Sequence, residues 1–298
     1  MITFPTKALF VEGPDCSGKT TLIRNIHDSS SYKWHIFDRS QVSRMIFCKF
    51  YNRTIDNLDY DLHEELSNLN NRFIILLPKF DVIAERFNRR GDDIHKDLSA
   101  MRKVYDAFYE ESYSLNTFPN IEIFKSDVDV ESLVLDLKTS ERCSLDDISG
   151  TVSGFVDACK NRESYPLSFT IYDDGKFDEA SSDILDHESE REYYDMIRSS
   201  LLRKIDMELA GDNEYARVET EGSRRFVYTD SSCISFIQVA IRNEVMDFHC
   251  VIRSTDVKNI FPYDIKFLYF LASECFNKIG CAKKVRLRFN LNSAHIIE

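Results

Sequence analysis

The sequence predicts an α/β domain with a parallel sheet followed by a smaller α+β domain, and three observations carry that expectation. Over residues 1–142 short apolar runs alternate with helical stretches, the pattern of strands joined by crossover helices. At 298 residues the chain exceeds one compact core of ordinary size, so two domains are expected. Over 143–162 Ser, Asp and Gly become frequent and periodicity fades, which marks a linker and places the second domain at 163–298.

In the first domain Ala8 to Val11, Trp34 to Phe37, Phe73 to Leu77 and Ile121 to Phe124 read as strands. Helices are expected after Lys19, after Ser40, from Asp81 to Arg90 and from Lys96 to Tyr113. Such a sheet offers ligands the carboxyl ends of its strands. The second domain reads as a strand from Leu167 to Tyr172, a long helix around Glu190 to Leu209 and strands from Phe226 through Ile252. A helix from Asp264 to Lys278 and a strand from Lys284 to Phe289 follow, for a mostly antiparallel arrangement.

Composition narrows the function classes. Hydrophobic residues make up 43% of the chain and charged residues 30%, and no apolar run reaches the length of a membrane span. The first apolar run, Ala8 to Val11, lacks a basic flank and passes into a glycine turn, so it reads as structure rather than targeting, and a cytoplasmic protein is expected. Eight cysteines without CxxC pairs indicate neither a zinc site nor a disulfide framework. A net charge of -12 repels a polyanion, so free nucleotides are expected as partners before nucleic acid, and no membrane partner is expected.

Gly13-Pro14-Asp15-Cys16-Ser17-Gly18-Lys19-Thr20 fits GxxxxGK[ST] directly after a strand and before a helix, the context this phosphate-binding loop requires. Its glycines let backbone N–H groups wrap phosphates at a helix N-terminus, Lys19 bridges β and γ oxygens, and the Thr20 hydroxyl ligates Mg²⁺. Gly13, Asp15, Ser17, Gly18 and Thr21 complete the expected site for ATP and Mg²⁺. Asp38, at a strand end, is expected to hold the Mg²⁺ shell with Thr20, and Arg39 to grip an acceptor phosphate. The blander alternatives are an ordinary Asp38–Arg39 surface pair and, for Arg86, Arg89 and Arg90, a solvated helix face.

Val11-Glu12-Gly13-Pro14-Asp15, Asp38-Arg39-Ser40 and Arg86-Phe87-Asn88-Arg89-Arg90-Gly91 resemble the thymidylate kinase and deoxynucleotide kinase group over about the first 140 residues. The resemblance implies transfer of the ATP γ-phosphate to a pyrimidine deoxynucleoside monophosphate, dTMP or a 5-substituted dCMP. It places Asp15 beside the deoxyribose 3′-hydroxyl. Cys16 stands where some of these kinases carry an arginine, so the missing charge is expected from a mobile lid, with Arg86 and Arg90 as clamps before a Gly91-Asp92-Asp93 hinge. Fewer residues separate the loop helix from Asp38-Arg39 than in that group, which leaves room for a bulky or modified pyrimidine. No NKxD guanine-reading motif is present.

In the second half Ser223-Arg224-Arg225, Cys233 with Gln238, Ile252-Arg253-Ser254-Thr255-Asp256-Val257, Phe261-Pro262-Tyr263-Asp264 and Ser293-Ala294-His295 fall in one order and spacing. They resemble the thymidylate synthase and dCMP hydroxymethylase family over about Gly222 to Glu298. The resemblance implies a phosphate site from Arg224, Arg225, Arg253, Ser254 and Asp256, a cysteine nucleophile at Cys233, and a sugar contact at His295. Asp264 replaces the Asn of dUMP-specific members, and a carboxylate suits the amino group of cytosine. Ile234 replaces the histidine after the nucleophile and Ile297 the final tyrosine, and the chain stops before the segment that closes over folate, so folate-dependent transfer is not expected. This half reads as a reduced nucleotide-binding module, expected to form a homodimer as the family does. The alternatives are a bifunctional enzyme whose second half also hydroxymethylates dCMP, a non-catalytic nucleotide sensor, a kinase of modified bases in DNA, and a structural domain in which Cys233 is a buried small hydrophobe. The two resemblances together imply a viral protein, of phage type, that remodels a nucleotide pool.

Overall fold

The computed structural model describes residues 1–54, 56–90, 97–186, 190–210 and 225–297, and among these all side chains but those of residues 208, 210 and 225. In chain order the elements are β1 (Ile2–Thr3), β2 (Ala8–Glu12), α1 (Lys19–Ser30), β3 (His35–Asp38), α2 (Gln41–Phe50), α3 (Leu58–Leu66), β4 (Asn71–Leu76), α4 (Phe80–Arg90), α5 (Leu98–Leu115), β5 (Ile121–Phe124) and α6 (Val130–Thr139). They continue with α7 (Leu145–Ala158), β6 (Glu163–Ser164), β7 (Leu167–Asp173), α8 (Arg191–Ala210), β8 (Arg225–Thr229), β9 (Ile234–Arg242), β10 (Val245–Ile252), β11 (Thr255–Asp256), α9 (Phe261–Ile279), β12 (Lys284–Leu291) and β13 (Ala294–His295). The chain divides into two compact units, Thr6–Ser140 and Met1–Pro5 with Glu141–Glu298. Among the described residues no helix is long and apolar enough to cross a membrane.

The Thr6–Ser140 unit is α/β with a parallel sheet, as expected: β3-β2-β4-β5 pair in parallel among the described residues. β2 and β4 are buried almost throughout, which is why they read as unbroken apolar runs rather than alternating ones. On one face Leu9, Val11, Ile74 and Leu76 pack with Leu22 and Ile26 of α1 and with Leu133, Val134 and Leu137 of α6. The other face carries a stack of Phe37, Phe10 and Phe73, with ring centroids 5.1 and 4.9 Å apart. Helix starts are set by side-chain caps. Ser40 accepts from Val42 N at 3.1 Å to begin α2, and Asp129 accepts from Glu131 and Ser132 N to begin α6.

The second unit is built on a mixed sheet in the order β1-β7-β12-β10-β9-β8, in which β10 and β12 run parallel and the other pairs antiparallel. β10 and β12 alternate buried and open residues, so one face holds Phe248, Cys250, Leu287 and Phe289, and the other Asp247, His249, Arg286 and Arg288. β1 pairs with β7, so the first residues of the chain belong to this unit. A small second sheet, β11-β13-β6, lies beside the first.

Two expectations need correction. Residues 143–162, expected as a linker, are largely helix α7, begun by a capping box in which Asp147 N donates to Ser144 Oγ at 3.1 Å and Ser144 N donates to Asp147 Oδ2 at 2.9 Å. Leu145, Ile148, Val152, Phe155 and Val156 recur at helical spacing and are buried, while the glycines and serines between them hid that period. The second unit therefore includes this stretch, and it spans more of the chain than the first rather than less. Ser144→Ala removes the cap and is expected to cost about 1 kcal/mol. Urea unfolding followed by tyrosine fluorescence checks this, with an unchanged midpoint as the contrary result.

Candidate functional site

The loop between β2 and α1 is held against the sheet by its two glycines. Gly13 has φ +136, and a Cβ there would meet Leu76 O at 2.5 Å and Ser17 Oγ at 3.0 Å. Gly18 has φ +106, and a Cβ there would lie 3.1 Å from Arg86 Nη1. Both positions combine a left-handed backbone with close approach, so only glycine fits without strain. Ser17 Oγ is buried and has no hydrogen-bond partner within the protein, and at a helix N-terminus an anionic oxygen is the partner it suits. The Lys19 ammonium is buried and donates to Gly13 O at 2.9 Å and Pro14 O at 3.0 Å, folded back on its own loop. Burial, and then the Arg39 guanidinium, push its pKa down, while Asp15, Asp38 and Glu12 pull it up.

A cleft of about 510 Å³ opens in front of this loop. It is lined by Cys16, Ser17 and Gly18 of the loop, by Thr21, Leu22 and Asn25 of α1, and by Arg86, Arg89 and Arg90 of α4. Ser126, Asp127, Val128 and Val130, after β5, close its far side. Arg86 is seated on the loop: its Nη1 donates to Ser17 O at 2.8 Å and Nη2 lies 3.6 Å from Asp127. Of the expected residues, Ser17, Gly18, Thr21, Arg86 and Arg90 thus share one cavity. Arg86 is no solvated face residue. The Gly91-Asp92-Asp93 hinge falls outside the described residues.

Thr20 and Asp38 are both exposed oxygen donors, the ligand type Mg²⁺ takes. Arg39 follows Asp38 in a left-handed turn with φ +78, and its amide donates to Val11 O at 3.1 Å. Its guanidinium pairs with Asp15 and lies 4.9 Å over the Phe47 ring, so its partner is Asp15 rather than Asp38. Asp15, expected beside a sugar hydroxyl, is engaged with Arg39 here. Asn25, Asp127 and Val128 were not singled out from the sequence. The carboxyl-end rule for parallel sheets pointed to the last two, which follow the end of β5.

In the second unit β10, β11 and β13 bring several expected residues to one corner. The Arg253 amide donates to Cys233 O at 2.7 Å, Asp256 stands in register with His295, and Val257 N donates to His295 O at 2.9 Å. Cys233 is exposed, which overturns the reading of it as a buried hydrophobe. Arg253 is exposed and Ser254 half-buried, whereas the Asp256 carboxylate accepts from Lys258 N, Asn259 N and Asn259 Nδ2. Burial raises the Asp256 pKa, but those bonds outweigh it and the net shift is downward. Arg224 and the Arg225 side chain lie outside what the structure describes.

Asp264 is the main departure. It is 2% exposed, with Tyr194 Oη donating to Oδ1 at 2.9 Å and Thr255 Oγ1 to Oδ2 at 3.3 Å. Both oxygens are engaged inside the unit, so the carboxyl does not face an open base pocket. Its place in the first turn of α9, between buried aromatics, decides this rather than its residue type. Burial pushes its pKa from 3.8 up to about 7.

No family model matches the chain, and no curated protein matches it. Among solved structures the chain is similar to deoxyadenosine kinase from M. mycoides with bound dCTP, at 15% identity and TM-score 0.34, covering 45% of this chain and 99% of that one. It is similar to the same enzyme with products dCMP and a flexible dCDP, at 14% identity and TM-score 0.31, covering 44% and 97%. It is also similar to thymidylate synthase from T4 phage, at 13% identity and TM-score 0.29, covering 45% and 67%. Likenesses this weak carry no information on substrate or reaction.

The raised pKa of Asp264 has a testable sign. The folded state binds this proton more tightly than the unfolded chain, so its stabilising effect is complete below pH 3.8 and is lost as pH rises through about 7. Asp264→Asn removes this loss. Relative to wild type, the variant is expected to gain on the order of 4 kcal/mol between pH 4 and 8. Parallel stability-versus-pH curves for the two proteins would contradict the assignment.

Proposed function

We propose that the Thr6–Ser140 unit transfers the γ-phosphoryl group of ATP to a pyrimidine deoxynucleoside monophosphate, dTMP or a 5-substituted dCMP. The convergence of the glycine loop and the α4 arginines on one cleft supports this reading most directly. The triphosphate lies over the loop with its oxygens on the backbone N–H groups and on Ser17 Oγ. Lys19 exchanges its two loop carbonyls for β and γ oxygens. The nucleoside extends along Leu22 and Asn25 toward Val128. An acceptor phosphate oxygen then forms a bond to the γ phosphorus as the β–γ bridge breaks and ADP leaves.

The protein contributes position and charge. Arg86 and Arg90 neutralise the transferring group, and Arg39 holds the acceptor phosphate after leaving Asp15. Thr20 and Asp38 would hold Mg²⁺, which neutralises the β and γ oxygens. The second unit is a pyrimidine-nucleotide-binding module around Arg253, Ser254 and His295. It pairs two copies through the open face of its sheet, where Phe236 and Val251 sit in register. The exposure of Cys233 favours one further reading, that this half also hydroxymethylates dCMP; Cys233→Ala should abolish any tritium release from C5-labelled dCMP.

ADP release is measured with MgATP and a panel of deoxynucleotides, including dTMP and 5-hydroxymethyl-dCMP, together with the parent deoxynucleosides. Turnover with one of the monophosphates is expected, falling by about 10²–10³ in Lys19→Ala. Turnover with none of the monophosphates, or with a deoxynucleoside alone, contradicts the proposal. Light scattering is expected to give a dimer that Val251→Arg dissociates, and a monomeric wild type would overturn the pairing.

A further inference from the structure

Glu12 is the residue the mechanism leaves unused. It ends β2 immediately before the phosphate loop, it is fully buried, and its Oε1 has no hydrogen-bond partner. Ser43 Oγ, on α2, donates to its Oε2. Glu65, on α3, accepts at Oε2 from Gln41 N at 2.8 Å. Two carboxyls from different elements thus hold the first turn of α2. The other charge facing Glu12 is Lys19, on α1.

The Glu65 carboxyl disfavours a charge on Glu12. Burial pushes both groups up, and Glu12 is the more deeply buried. A neutral Glu12 carboxyl tolerates an unpartnered oxygen at far lower cost than a carboxylate would.

The cluster adjoins Arg39, whose left-handed backbone is a conformation that persists only where its surroundings hold it. Arg39 lies between its amide bond to Val11 O, one residue before Glu12, and the Ser40 cap. We propose that Glu12 is a positioning residue: the bond it accepts from Ser43, beside the one Glu65 accepts from Gln41, forms a clasp between the end of β2 and the start of α2, and this clasp fixes the turn that presents Arg39 to the acceptor phosphate. The acceptor half of this inference rests on the kinase reading; the clasp does not.

Amide hydrogen exchange at Arg39 reads the turn without any substrate. Glu12→Ala is expected to speed exchange at Arg39 by about tenfold and to raise the acceptor KM by about tenfold, with the KM for ATP within about twofold of wild type. Glu12→Gln, neutral and of the same shape, rescues both. Should Glu12→Ala fail to fold, Ser43→Ala gives a milder version of the same two effects. Unchanged Arg39 exchange in a folded Glu12→Ala, or equal rises in the KM values for ATP and acceptor, would overturn the proposal. If wild type releases no ADP with any acceptor, the kinase reading fails and exchange alone decides the clasp.

Discussion

Everything at the proposed phosphate site depends on the turn at Gly13. With φ +136 and 2.5 Å between a would-be Cβ and Leu76 O, the chain leaves β2 against the end of β4 with no room for a side chain. That close approach lets the loop curl tightly enough to bury Ser17 Oγ. Gly18 repeats the arrangement one turn later, where the missing side chain gives the Arg86 guanidinium its seat. A cation from a distant helix is therefore fitted directly to the loop.

Charge is concentrated on the other side of the loop. Arg39, Asp15, Asp38 and Glu12 all act on Lys19, whose own burial strengthens these interactions. Lys19 and Arg39 each have a stand-in partner, loop carbonyls for one and Asp15 for the other. Both stand-ins are of the kind a phosphate displaces, so on the proposed reading ligand binding exchanges partners rather than exposing bare charge. In the second unit Asp264 has no such exchange available, since Tyr194 and Thr255 hold it in the interior.

The first unit was legible in the sequence because parallel strands covered on both faces leave unbroken apolar runs, and because GxxxxGK[ST] has one local geometry. Helices α3, α6 and α7 escaped notice. Their apolar stripes are interrupted by Ser, Asp and Gly, and in α7 the cap that reveals the start, Ser144 with Asp147, looks like loop composition. The structure seats Arg86 on the glycine loop, yet nothing in its own segment shows that its main contacts are carbonyls of that loop. Asp264 failed for a general reason. A residue letter fixes which hydrogen bonds a group can make, and only packing decides whether they are made to a ligand or to a neighbour.

Calorimetric titration of MgATP into the full chain, compared with Gly13→Ala, tests the central claim most directly. The substitution changes no charge and removes no donor, and it acts only by forcing the loop away from Leu76 O. One binding event per chain in wild type, weakened at least about a hundredfold in the variant, is the result expected if the loop cradles the triphosphate. Absent binding in wild type, or equal affinity in the two proteins, would contradict it.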